Sequence, residues 1–187
     1  CQEHVSSMTT ILGISGSLRR ASFNSGLLRA AKELAPDGTE IVIGSIADIP
    51  LYKGDDEDAH GAPAAVETLK QQMAQADGLL IATPEYNNGM PGVLKNTIDW
   101  LSRKDGLALF IGKPVAVLGA SPGNFGTVLA QEHWLQVLRT LKTKHWTQGR
   151  LMVSGAGKLF DADGNLTDDR TREKLAEFIA GYAASLS

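Results

Sequence analysis

Short apolar runs alternate with segments of helical period along almost the whole chain, and few folds accept that pattern. Residues 10–14 read as a first strand. A helix is expected over 25–35, with Leu27, Leu28, Ala31, Leu34 and Ala35 on one stripe. A second strand is expected over 40–46. Gly61, Ala62 and Pro63 open a helix that buries Val66, Leu69, Met73 and Ala76. Residues 78–83 form an unbroken apolar run, as a central parallel strand requires. Pro91 starts a helix through Leu101, a fourth strand covers 114–119, and a helix covers 127–141. The fifth strand is expected over 146–154. After a Gly/Asp-rich loop at 155–165, Thr167 or Asp168 caps a last helix with Leu175, Phe178, Ile179 and Tyr182 on its apolar face. Such alternation implies parallel pairing and right-handed crossovers. The fold class is therefore α/β: a doubly wound three-layer sandwich on a five-stranded parallel sheet of order 2-1-3-4-5. Ligands of such sheets bind beyond the carboxyl ends of the strands, so the loops after strands one, three and four should carry function.

At 187 residues, the chain suits one domain over 9–187, behind a polar leader at 1–8 that is either native or a remnant ahead of Met8. With 18 Lys and Arg against 21 Asp and Glu, the net charge of −3 argues against a nucleic-acid partner. No apolar run approaches the roughly 18 residues of a membrane span, and no signal peptide is evident. The one cysteine, Cys1, cannot form an internal disulfide, and His4, His60, His133 and His145 make no zinc pattern. The expectations are a cytoplasmic setting, no metal and no membrane partner. The acidic run at 55–58 reads as a solvated loop, and Trp100, Trp134 and Trp146 as core residues.

The first candidate loop runs Gly16-Ser17-Leu18-Arg19-Arg20-Ala21-Ser22-Phe23-Asn24-Ser25. It joins a buried strand to a helix N-terminus, which offers free N–H groups and partial positive charge. Ser17, Ser22, Asn24 and Ser25 add short hydrogen-bonding side chains. Arg19 and Arg20 add fork-shaped donors for phosphate oxygens. No Lys-Ser/Thr pair completes a Walker loop, and Gly13 with Gly16 falls short of a dinucleotide fingerprint. The loop suits a terminal monophosphate; the alternative is a plain N-cap turn with two solvated arginines.

The second loop runs Thr83-Pro84-Glu85-Tyr86-Asn87-Asn88-Gly89-Met90-Pro91-Gly92. Stiff backbone amides and the side chains of Glu85, Tyr86, Asn87 and Asn88 suit the edge of a planar heterocycle. A structural turn ahead of the helix is the plainer reading.

Residues 16–24 and 84–100, together with Ile46-Ala47-Asp48-Ile49-Pro50-Leu51-Tyr52, resemble the signature segments of the NADPH-dependent FMN reductase family, close to its bacterial chromate and quinone reductases. The likeness extends over residues 11–183. It implies a flavodoxin-like fold with non-covalent FMN and NAD(P)H as co-substrate. It places Ser17, Arg19, Ser22, Phe23 and Asn24 around the FMN phosphate. Pro84, Glu85, Tyr86, Asn87 and Asn88 would border the isoalloxazine ring, with Ala120 and Ser121 at the ring or ribityl chain. Arg103 resembles an arginine that contacts substrate or a neighbouring subunit, the other reading being a solvated helix end. A homodimer or homotetramer is implied. Ala120 stands where several relatives have a hydroxyl, and Gln131-Glu132-His133-Trp134 is bulkier than expected, which bears on oligomer contacts.

Gly119-Ala120-Ser121-Pro122-Gly123 fits the GxSxG nucleophile elbow, but Pro122 has no N–H for an oxyanion and the downstream acid and histidine are misplaced. A hydrolase is rejected. If FMN is present, the flavin carries the chemistry and no side chain need act as nucleophile or base. The expected activity is a ping-pong transfer of hydride from NAD(P)H through FMN N5 to small-molecule acceptors: quinones, free flavin, azo compounds or oxidised metals such as chromate. The alternative is an electron-carrier flavoprotein without NAD(P)H activity of its own. Tyr86 as the single aromatic of the second loop and the modest net charge favour the enzyme. A phosphate-binding module without flavin is a third possibility.

Overall fold

The computed structural model describes residues 8–186, so the expected leader lies outside the described residues except for Met8. The chain runs β1 (Thr9–Ser15), α1 (Phe23–Glu33), β2 (Thr39–Gly44), α2 (Gly54–His60), α3 (Ala64–Gln75), β3 (Gly78–Ala82), α4 (Gly92–Leu101), β4 (Pro114–Ala120), α5 (Val128–Thr140), β5 (Lys144–His145), β6 (Met152–Val153) and α6 (Asp169–Ala184). All strand pairs are parallel, in the order β2-β1-β3-β4-β5, with β6 also on β4. The expected order 2-1-3-4-5 therefore holds.

Strand alternation builds two cores. Ile11, Leu80, Ala82, Ala116 and Leu118 point to one face and meet α1 and α6. Leu12, Ile14, Leu79, Ile81, Val115 and Val117 point to the other and meet α3, α4 and α5. Trp100 and Trp134 are fully enclosed, and Trp146 packs at the margin against Phe178 and Tyr182.

Two expectations change. The fifth strand is not continuous over 146–154. The Trp146 N–H still reaches the Val115 carbonyl at 2.8 Å, but the indole turns onto α6, and the chain rejoins β4 only at Met152. The acidic run at 55–58 is exposed at Asp55, Asp56 and Asp58 as expected but is not a loop: it starts α2, whose N-terminal N–H groups favour carboxylates. Glu57 is buried there and accepts the Tyr52 hydroxyl at 3.0 Å.

Helix α1 starts two residues before its expected position. Ser22 adopts extended backbone and its Oγ accepts the Ser25 N–H at 3.2 Å, which makes it the N-cap. At the other end, Asp168 caps α6 by accepting the Thr171 N–H at 2.8 Å and the Thr171 hydroxyl at 2.7 Å. Those two bonds hold the Asp168 carboxyl below the usual range.

Candidate functional site

The chain leaves β1 for α1 on one face and leaves β3 for α4 on the other. Connections that part in this way open a crevice between the two strands. The Gly16 N–H donates to the Ala82 carbonyl at 2.8 Å, and the Thr83 N–H to the Leu118 carbonyl at 2.9 Å. The three loops thus begin side by side. A Cβ on Gly16 would lie 2.9 Å from atoms of Leu94, Pro84 and Pro91, so only glycine allows the first two loops to close on each other.

Between these loops lies a cleft of about 260 Å³, lined by Ser17, Arg19, Ser22, Phe23, Asn24, Pro84, Glu85, Tyr86, Ala120, Ser121 and Pro122. Segments far apart in the chain supply the walls: β1–α1, β3–α4 and β4–α5. Of the residues that the family likeness places at FMN, Asn87 and Asn88 are not among the lining. They form the tip of a two-residue turn in which Tyr86 and Gly89 exchange N–H···O bonds of 3.0 Å. Both asparagines sit at positive φ, 50° and 60°, a conformation asparagine tolerates better than most residues. Pro122 lines the cleft as well, beside Ser121 in the third loop. Arg103 is not in the cleft. It lies beyond the end of α4, its Nε donates to the Asp99 carbonyl at 3.2 Å and its guanidinium stacks 5.6 Å from the centre of the Tyr52 ring. Arg20 is exposed and absent from the lining.

The phosphate-like end of the cleft is rich in donors. The N–H groups of Phe23 and Asn24, in the first turn of α1, have no acceptor among the described residues. No acidic residue stands in that turn, so its positive end is uncompensated. Arg19 is exposed and makes no ion pair among the described residues. Ser22 and Ser17 use their oxygens to accept the N–H groups of Ser25 and Arg19, at 3.2 and 3.3 Å, which leaves each hydroxyl proton available to an anion.

Two lining side chains serve the scaffold. Asn24, almost fully buried, pairs through both ends of its amide with the Ala120 backbone. Glu85 directs Oε2 onto the first turn of α5, accepting the N–H groups of Leu129 at 2.9 Å and Ala130 at 3.0 Å. Thr83 accepts the Trp134 indole N–H at 3.1 Å, a second link from this loop to α5. No histidine lines the cleft, and the Ser121 Oγ accepts the Gly123 N–H at 3.2 Å, so nothing there supports an activated serine.

A wider groove of about 750 Å³ runs between α5 and residues 145–152 at the sheet edge. None of its lining residues belongs to the first two loops. Burial lowers the His145 pKa there and favours the neutral imidazole.

The sheet order, the helices on both faces and a cleft at the switch point define a flavodoxin-like α/β protein. The chain belongs to the NADPH-dependent FMN reductase family, which it matches over residues 9–158. It is 49% identical over 167 residues to an NAD(P)H-dependent FMN reductase of Pseudomonas aeruginosa, covering 89% of each chain. It is 44% identical over 170 residues to a 2-hydroxy-1,4-benzoquinone reductase of a Burkholderia species, covering 90% of this chain and 91% of that one. Among solved structures it superposes on the flavoenzyme NAD(P)H:(acceptor) oxidoreductase FerB of Paracoccus denitrificans with a TM-score of 0.84. The identity there is 35%, with 95% of this chain and 97% of that one covered. The protein is thus an oxidoreductase of the NAD(P)H-dependent FMN reductase and quinone reductase type.

Proposed function

We propose that the three-loop cleft holds FMN non-covalently and that the protein passes electrons from NAD(P)H to quinones. The observation that carries this reading is the charge layout of the cleft. One end gathers α1 N–H groups and an Arg19 that have no partner among the described residues, with two hydroxyls; the other is bordered by Pro84, Glu85, Tyr86, Ala120 and Pro122. A dianionic phosphate fits the first end and a flat, largely apolar ring the second.

In this reading Arg19 pairs with two phosphate oxygens, while Ser17, Ser22 and the Phe23 and Asn24 N–H groups donate to the others. Phe23, Ser121 and Ala120 flank the chain between phosphate and ring. Tyr86, half exposed at 51%, stands at the mouth, where a nicotinamide or a quinone can lie against the ring. When bound, FMN would supply the hydride and electron transfer, chemistry that no side chain of this protein supplies. The contribution of the chain is to hold the reactants in register and to keep the cleft walls rigid. Donor and acceptor use the same open side in turn, which is a ping-pong order. Free flavin, azo compounds and chromate are further acceptors on the same principle. We also propose that residues 9–187 act as one FMN-binding unit, as a homodimer or homotetramer in the cytoplasm.

The test is anaerobic. Protein loaded with FMN should lose its flavin absorbance on addition of NADPH or NADH and regain it on addition of a benzoquinone. Loading without bleaching would identify an electron carrier in place of a reductase. Failure to take up FMN would remove the cofactor reading.

A further inference from the structure

Three helices, α1, α4 and α5, start from the loops around the cleft. The first turns of α1 and α4 carry no acidic residue of their own, and neither does that of α5. Among the described residues, only α5 of the three has a carboxylate brought to its first turn from elsewhere. The side chain of its N-cap, Thr127, accepts no backbone N–H of the first turn and instead accepts the Gln131 side-chain amide at 3.0 Å. Glu85 takes that place from 44 residues away, with Oε2 at 2.9 Å from the Leu129 nitrogen and 3.0 Å from the Ala130 nitrogen. The same residue is half-buried and lines the cleft. The molecule therefore leaves the positive end of α1 uncompensated and neutralises that of α5 with a fixed negative charge.

We propose that Glu85 tunes the reduction potential of the bound FMN downward. The inference rests on the reading that the cleft holds FMN with its ring toward the 84–91 loop. Hydride from NAD(P)H brings two electrons and one proton, so the ring gains one net negative charge on reduction. A carboxylate held at the cleft wall disfavours that state relative to the oxidised one, because like charges repel across a half-buried site. By occupying the α5 N-terminus it also removes the helix dipole that would otherwise attract the charge. Electrons stored on the cofactor are thereby held at higher energy and passed on more readily to an acceptor. Glu85 acts here as a positioning and electrostatic residue, with no bond to the reacting atoms.

The experiment compares wild type with Glu85→Gln, which keeps an oxygen to accept the α5 N–H groups and loses the charge. The midpoint potential of bound FMN is measured by spectroelectrochemical titration at mildly alkaline pH. Affinities of the flavin-free protein for oxidised and for reduced FMN are measured alongside. Glu85→Gln should favour reduced over oxidised FMN by about tenfold more than wild type does, a rise of about 30 mV for a two-electron couple. Glu85→Asp keeps the charge but draws it back from α5, so it should lose stability while its potential rises by less than in Glu85→Gln. If the potential is unchanged in Glu85→Gln, or rises as much in Glu85→Asp as in Glu85→Gln, Glu85 is a strut only and the proposal is overturned. Should Glu85→Gln not fold, Glu85→Ser takes its place: loss of the charge should again raise the potential, and an unchanged potential overturns the proposal. Wild-type protein that takes up no FMN overturns the cofactor reading as well, whereas FMN uptake with an insensitive potential overturns only the role of Glu85.

Discussion

Asn24 and Ala120, 96 residues apart in the chain, exchange two hydrogen bonds of 2.9 Å. The Asn24 Nδ2 donates to the Ala120 carbonyl and its Oδ1 accepts the Ala120 N–H. The amide side chain thus mimics a neighbouring strand at the point where β4 runs out. It ties the helix that carries the first loop to the strand that carries the third, so two walls of the cleft move as one.

Replacing Asn24 with Ala leaves a buried N–H and a buried carbonyl without partners. The expected loss of stability is about 2–4 kcal/mol, since each unmet buried group costs on the order of 1–3 kcal/mol. Urea denaturation of the flavin-free protein measures it. Asn24→Asp should lose at least as much, because a buried carboxylate accepts the Ala120 N–H but sets its second oxygen against the Ala120 carbonyl.

Gly16→Ala tests whether the first two loops must touch. The added methyl would meet Leu94 and the rings of Pro84 and Pro91, and proline rings cannot swing aside. Overpacking of this kind costs about 1–3 kcal/mol. Because the strain opens the cleft, FMN affinity should drop by more than the stability of the flavin-free protein does. A variant that binds FMN as wild type does would show that the loops yield independently of the site.

Arg19→Ala separates binding from folding. The side chain is exposed and makes no ion pair among the described residues, so flavin-free stability should stay within about 0.5 kcal/mol of wild type. FMN affinity should fall by at least about tenfold, as expected for the loss of a charge-assisted contact to phosphate. Riboflavin, which lacks the phosphate, should bind both proteins equally. Equal FMN affinity in the two proteins would take Arg19 out of the site.

Tyr182 gives the stability curve an alkaline limb. Its hydroxyl lies 3.0 Å from the Leu79 carbonyl and 2.9 Å from that of Pro114, and burial pushes its pKa far above the ordinary tyrosine value. Below pH of about 10 the residue is protonated in both folded and unfolded chains, and its contribution is complete. Above that pH the unfolded chain ionises first and binds fewer protons, so stability falls as pH rises toward the folded pKa. Tyr182→Phe should remove most of this slope and lower stability near neutrality by about 1 kcal/mol. Denaturation midpoints across the alkaline range provide the comparison. Some slope remains, because the bond from Tyr52 to Glu57 also raises the Tyr52 pKa.

Much of the cleft was legible in the linear order of residues. The loops at 16–25 and 83–92 each follow a run with the apolar continuity of a buried strand, and the strands turn out to be neighbours in the sheet. What could not be read was the use of particular side chains within those loops. Asn87 and Asn88 look like ring contacts in a list of polar residues, yet both adopt positive φ and form the tip of a turn. Arg103 follows α4 in the chain, but a helix of that length carries it away from the cleft to the Tyr52 ring.

Periodicity and turn chemistry are properties of neighbouring residues, so they determined most of the elements and the α/β class, while the family came from the likeness of the signature segments. Long-range pairings are not local. The partners of Asn24 and Glu85 lie 96 and 44 residues away, and they follow from how β3, β4 and α5 pack and not from any pattern around those two residues. The same holds for the break between β5 and β6, where burial of the Trp146 ring on α6 competes with the strand ladder. Folding commits these side chains because a buried donor or acceptor must find whatever partner the packed layers bring near it.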